Sequence, residues 1–405
     1  MFSRKIKQGV AFLCIIQLSA PLAGFAEASS AQGFNIGNLN ISPFVSASYM
    51  YDSNIYSSKD EREDSIYTVN PGVNIAYHGN EWGVMGDAWY GYDYYQKYRE
   101  SDASRYGERL SFYRDSNAGW RFLVGQGYLN SSQNDSILDG GQGVWRDRYQ
   151  VDGNVLLGYT FSERLAATLT GFYTYYDYQK NAQEFPAPLY GWYEVALGLE
   201  VSRKITEKSN LLLNLSSQYY ESQADDISNV SSKSMGYSAQ VGVGSRLTER
   251  IRYRIMAGAN AMDVAETEFL LGASYSVDIS WVMARQWAMT LAGSSYFQPS
   301  EYTVAQTKQV YAGSWGLTYK PFVKLTAGLD LAYRREDNLT LDGYEKPGER
   351  EDYANDQVSA RLRANYALHR YVSIFSTVEG IRNISEARDR DYDRVRITLG
   401  LSFRY

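Results

Sequence analysis

The sequence predicts an all-β protein, a closed antiparallel transmembrane β-barrel of about 18 strands with short periplasmic turns and longer extracellular loops. Three observations predict it. Segments of alternating hydrophobicity recur along the chain, the connections between them alternate short and long, and aromatic residues gather at the segment ends. Composition agrees. The 405 residues include 37 Tyr and 34 Gly but only 8 Pro, 2 His and 1 Cys. Tyrosine favours strands. The single cysteine excludes a disulfide framework and a Cys-based zinc site. A formal charge of −6 argues against a nucleic-acid partner. The mean hydropathy of −0.42 excludes a helical membrane protein but not a barrel, whose strands are only half apolar.

The N-terminus reads as a secretory signal peptide over residues 1–28. Arg4, Lys5 and Lys7 form its basic region and Val10 to Leu18 its short apolar region, with cleavage after Ala26 or Ala28. Leu13 before Cys14 is too bulky for a lipoprotein signal. Cleavage removes the only cysteine and leaves a more acidic mature chain. Residues 29–40 form a short periplasmic segment, and 41–405 form the barrel.

Period-two alternation defines the strands. At the C-terminus Val395, Ile397, Leu399, Leu401, Phe403 and Tyr405 alternate with Arg394, Arg396, Thr398, Gly400, Ser402 and Arg404. Eighteen such segments begin near residues 42, 66, 83, 105, 120, 145, 164, 189, 209, 234, 250, 268, 286, 308, 322, 354, 370 and 392. Each has room for a membrane-crossing strand of roughly 9–11 residues. Short connections such as Ser162-Glu163, Thr248-Glu249 and Ala284-Arg285 alternate with longer ones such as Ser57–Glu63, Ser131–Gly143, Gln223–Ser232 and Glu336–Glu351. Assigning the short ones to the periplasm puts both termini there, in the outer membrane of a Gram-negative cell. Trp82, Trp120, Trp281, Trp287 and Tyr405 then mark one membrane interface, and Tyr51, Tyr92, Tyr128 and Tyr173 the other.

A soluble sandwich fails because one face of every strand is rich in Arg, Asp, Glu, Gln and Ser, and so many polar faces do not fit a dry core. In a membrane barrel the apolar face meets lipid and the polar face lines the lumen. Parity places Asp87, Asp93, Arg109, Arg148, Asp152, Glu194, Glu200, Arg252, Arg254, Asp278, Lys324, Asp330, Arg334, Arg361, Arg363, Glu379, Arg394 and Arg396 inward. It does the same for Trp89, Tyr95, Phe172, Tyr176, Trp192 and Tyr220. The arginine steps 252/254, 361/363 and 394/396 make either an electropositive stripe or one half of salt bridges across the lumen. The connection near 334–353 has the length to fold inward but not to fill the bore. His78 and His369 fall in turns, away from any assembled Ser-His-Asp site, so no catalytic, metal or cofactor site is expected.

The run Val45–Tyr56, which closes on Tyr51-Asp52-Ser53-Asn54-Ile55-Tyr56, resembles the first strand of the β-barrel porin family found with bacterial exopolysaccharide and capsule gene clusters. The turns Phe161-Ser162-Glu163-Arg164-Leu165 and Leu247-Thr248-Glu249-Arg250-Ile251 are similar to that family's periplasmic hairpins. The ending Leu399 to Tyr405 resembles the signal that barrel assembly machinery reads, with Phe403 and Tyr405 as its aromatic positions. The resemblance implies a channel passing secreted polysaccharide, beside a periplasmic polysaccharide export protein and within lipid and lipopolysaccharide. The residues themselves also admit a general or anion-preferring diffusion porin, and a closed barrel serving as surface scaffold or receptor.

Overall fold

The computed structural model describes residues 33–116, 119–134, 145–178, 191–222, 233–264, 268–299, 306–340, 353–386 and 390–405. The expected signal peptide and its cleavage positions lie outside the described residues.

A three-residue strand, β1 (Phe34–Ile36), opens the described chain. It turns back through Gly37 and Asn38 onto β2 (Leu39–Asp52). Gly37 sits at φ +61, the left-handed region that glycine enters without a Cβ clash. The wall continues with β3 (Asp64–His78), β4 (Trp82–Tyr95), β5 (Ala103–Asp115), β6 (Trp120–Asn134), β7 (Trp145–Ser162) and β8 (Leu165–Tyr178). Next come β9 (Trp192–Lys204), β10 (Ser209–Ser222), β11 (Lys233–Ser245), β12 (Ile251–Val264), β13 (Glu268–Ala284) and β14 (Trp287–Pro299). The last are β15 (Gln306–Phe322), β16 (Leu325–Thr340), β17 (Tyr353–His369), β18 (Val372–Ser385) and β19 (Tyr392–Arg404). Every wall strand pairs antiparallel with its neighbours in sequence, and β19 returns to β2 from Arg404↔Phe44 to Arg396↔Asp52. The result is a closed barrel of 18 strands, β2 to β19. Closure leaves no open edge, which is what lets a sheet cross lipid.

All 18 predicted segment starts fall within three residues of an observed strand. Two loop boundaries shift. Ser131–Asn134 extend β6 and Glu336–Thr340 extend β16, because their ladders with β7 and β15 continue to Trp145 and Gln306. Lys324 lies in the tight turn before β16 and not on the inner wall as parity had it, since the turn interrupts the alternation there.

The two faces divide as the alternation predicts. On β19, Val395, Ile397, Leu399, Leu401 and Phe403 are exposed, Leu399 by 56%, while Arg394 just before them is 7% exposed. Side chains on the convex face diverge toward lipid, and those on the concave face converge on one another. Turn-end aromatics form a belt of paired rings. Trp287 lies 4.1 Å from Tyr319, Trp120 4.3 Å from Tyr159, and Tyr77 4.7 Å from Trp82. Phe34 and Tyr405 meet at 4.6 Å, so the two ends of the described chain share the turn end.

One hairpin departs from the wall. The β13–β14 ladder stops at Tyr275↔Ser295, so Glu268–Ser274 have no partner from β14. Beyond that point Ser295, Phe297 and Gln298 of β14 and Thr307, Lys308, Gln309 and Val310 of β15 are all buried, without alternation. Thr307 Oγ1 lies 3.1 Å from Met262 Sδ on β12. Along the wall those strands are three steps apart, about 14 Å at the usual spacing. The described tip of the β14–β15 hairpin, residues 295–299 and 307–310, therefore lies inside the barrel, across the inner face of β13.

Candidate functional site

The inner wall is the chemically dense surface. Across β16, β17, β18, β19 and β2 the register sets Asp330 opposite Arg361, Arg361 opposite Glu379, Glu379 opposite Arg396 and Arg396 opposite Asp52. One row of the sheet thus alternates in charge over five strands, the arrangement cross-strand pairing favours. Glu379 accepts from both Arg361 and Arg396. The rungs beside this row close diagonally. Arg363 Nε meets Asp330 at 3.2 Å, and Arg394 donates from Nε and Nη2 to Asp52 at 2.9 and 2.5 Å.

A second row crosses the opposite wall. Asp87 stands opposite Arg109, Arg109 opposite Gly127, Gly127 opposite Asp152, Asp152 opposite Thr174, and Thr174 opposite Glu194. Gly127 leaves room there, since a Cβ at that position would stand 2.9 Å from the Asp152 carboxylate. Arg105 pairs with Asp93 at 2.7 Å, and Arg254 with Glu200 at 2.7 Å across three strands. The arginine steps at 361/363 and 394/396 are therefore charge-paired on the wall and do not form a bare cationic stripe. Arg252 faces Ser280 on the same inner face.

Several predicted lumen residues are covered and do not border open space. Arg148, Glu194, Arg394, Tyr95 and Tyr220 are all buried. Tyr95 packs with Ile55 and Ile66 beneath the loop after β2. The Arg148 guanidinium lies over the Tyr176 ring at 5.2 Å. Trp192 stands 4.6 Å from Tyr176 and 6.3 Å from Tyr220, and Tyr220 belongs to an apolar cluster with Met262, Val264 and Phe297. Trp89 lies against Gly107 on the inner face, its ring 3.1 Å from where a Cβ would be.

The Tyr51–Tyr56 run has a structural task. Asp52 holds Arg394. Ser53 N donates to Val395 O at 2.9 Å, and Asn54 Nδ2 donates to Ser58 O at 2.7 Å and Asp393 O at 3.1 Å. Ile55 is fully buried. Arg394 Nη1 donates to Ser57 Oγ at 2.8 Å, steadying a residue at φ 47. The run fastens the first loop onto the last strand, where ladder pairing with β2 has ended. Asp52 escaped the parity reading because its strand ends there, and Gly272, which seats the inward hairpin, carries no sequence signal of its role.

Solved structures of similar fold include the FrpB iron transporter from Neisseria meningitidis (F3-3 variant), with TM-score 0.46 and 9% identity over 84% of this chain and 62% of that one. The siderophore receptor PiuA from Acinetobacter baumannii gives TM-score 0.48 and 9% identity over 90% and 82%. The copper transporter OprC gives 0.44 and 10% over 93% and 81%. No curated protein matches the chain. The family model described as "Putative beta-barrel porin 2" matches residues 27–405, and with an 18-strand closed barrel of polar interior the chain belongs to that family.

Proposed function

We propose that this protein is an outer-membrane channel that passes a secreted polysaccharide, with its turn end and both termini in the periplasm. The observation that carries the reading is the alternating Asp330–Arg361–Glu379–Arg396–Asp52 row on the inner wall. Asp330, Arg361 and Arg363 show the lumen a paired surface rich in donors and acceptors but low in net field, while Glu379 and Asp52 lie buried beneath it. Such a surface forms many weak, exchangeable contacts with hydroxyls and sugar carboxylates and no deep trap for an ion. Family membership supports a porin-like transport role. A setting beside polysaccharide synthesis genes, a periplasmic export partner and assembly through Phe403 and Tyr405 belong to the same proposal.

The test is current across a planar bilayer holding the purified protein. Acidic oligosaccharides should block the current reversibly and with rising residence time as length grows, and monosaccharides should not. A large current indifferent to oligosaccharides would favour a small-solute diffusion porin. No current from folded protein would favour a closed scaffold or receptor.

A further inference from the structure

The inward tip of the β14–β15 hairpin has a built seat. A Cβ at Gly272 on β13 would stand 3.0 Å from Phe297 Cζ, 2.9 Å from Gln309 Oε1 and 2.9 Å from Asn260 Oδ1. The missing side chain is thus the notch in which the tip rests. Phe297 packs with Met262, Val264 and Tyr220, and partly covered Trp192, Leu270 and Leu339 complete the patch. Polar contacts hold the base of the tip. Gln309 Nε2 donates to Ser295 Oγ at 2.7 Å, Arg334 Nη2 to Gln298 Oε1 at 3.3 Å, and Lys308 Nζ stands 3.8 Å from Glu336. An apolar patch facing an otherwise polar lumen costs free energy unless something covers it. Phe297 is that cover.

We infer that this tip, residues 295–299 with 307–310, is the constriction of the channel and sets the largest solute it admits. The inference rests on the channel reading above. The tip subtracts cross-section from the bore at the loop end, and it does so through a wall position, Gly272, that any larger side chain would close to it.

The experiment uses the full chain refolded into bilayers and sugar-swelling liposomes, with β-sheet content and heat-modifiable gel mobility confirming the fold. Three variants unseat or remove the tip. Gly272→Leu fills the notch, and Phe297→Ala removes the anchor. Replacing residues 296–310 by Asn-Gly joins Ser295 to Tyr311, which already face each other across the hairpin. Each should raise single-channel conductance severalfold and admit larger sugars. Unchanged conductance and size limit in folded variants, from a protein that does conduct, overturn the constriction and leave the channel reading standing. Current appearing only in the variants supports both. No current from any of them, the shortened protein included, removes the channel reading and the constriction with it. In the folded Met262→Cys/Thr307→Cys protein a disulfide should form on oxidation, and its failure to form would show that the tip does not sit on the wall.

Discussion

Arg394 of the last strand grips Asp52 of the first wall strand, with Nε at 2.9 Å and Nη2 at 2.5 Å from the carboxylate and both side chains buried. The pair stands one step beyond the last ladder rung between those strands, Arg396↔Asp52, and so locks the seam at which the sheet becomes a barrel. Removing one partner strands a buried charge. Asp52→Ala or Arg394→Ala should each lower stability by about 3–5 kcal/mol, whereas replacing both by apolar residues should cost less. Urea unfolding of the refolded barrel, followed by tryptophan fluorescence, checks this. Equal losses for single and double variants would contradict the seam role.

Glu379 serves two arginines at once. Glu379→Gln should leave Arg361 and Arg396 without their carboxylate. Stability should fall by about 1–3 kcal/mol. The reversal potential under a salt gradient should move toward anion preference. An unmoved potential in a conducting variant would mean that the row lies off the conduction path.

The turn-end belt carries packing energy as well as interfacial preference. Trp287 lies over Tyr319 with planes 23° apart. Trp287→Ala should cost about 0.5–1.5 kcal/mol beyond the area lost. Trp287→Phe should recover most of it, by the same unfolding measurement.

Outside the wall, Lys97 Nζ binds Glu63 at 2.6 Å between the first two long connections. This contact holds the Glu63 carboxyl below its usual range, with a further hydrogen bond from Tyr51, and it pushes Lys97 up. The signs follow. A depressed carboxylate contributes above its unfolded value and loses that contribution as pH falls through the folded one. A raised ammonium contributes below its unfolded value and loses it as pH rises through the folded one. The loop contact should therefore persist across neutral pH and fail in acid below the ordinary carboxylate range, and again in strong base. A spin label at Lys59 should report the loosening, and Glu63→Gln should reproduce it at pH 7. A label equally mobile in wild type and variant would deny the pair any hold on the loop.

The sequence alone determined the barrel and its strand count, because a two-residue period with lipid on one side leaves a strand side chain a single choice of face; at the turn holding Lys324 that choice lapsed. The run from Arg394 to Phe403 states that choice position by position. Charge types were legible in the same way, but their partners were not. Whether Arg361 meets Glu379 or open water depends on register between strands whose connections differ in length, and parity is blind to register. The Tyr51–Tyr56 run was visible as a family mark, while its hold on Arg394 joins residues 342 positions apart. The inward hairpin was decided by tertiary structure alone. The 334–353 connection has the length to fold inward, and its residues 341–352 lie outside the described ones; among the described residues the ends of β14 and β15 lie inward. The cause is a space: Gly272 gives up a side chain on one strand so that Phe297, from the next, can cover Met262 on the strand before. A void has no signature in a linear pattern, since it exists only once three strands lie side by side.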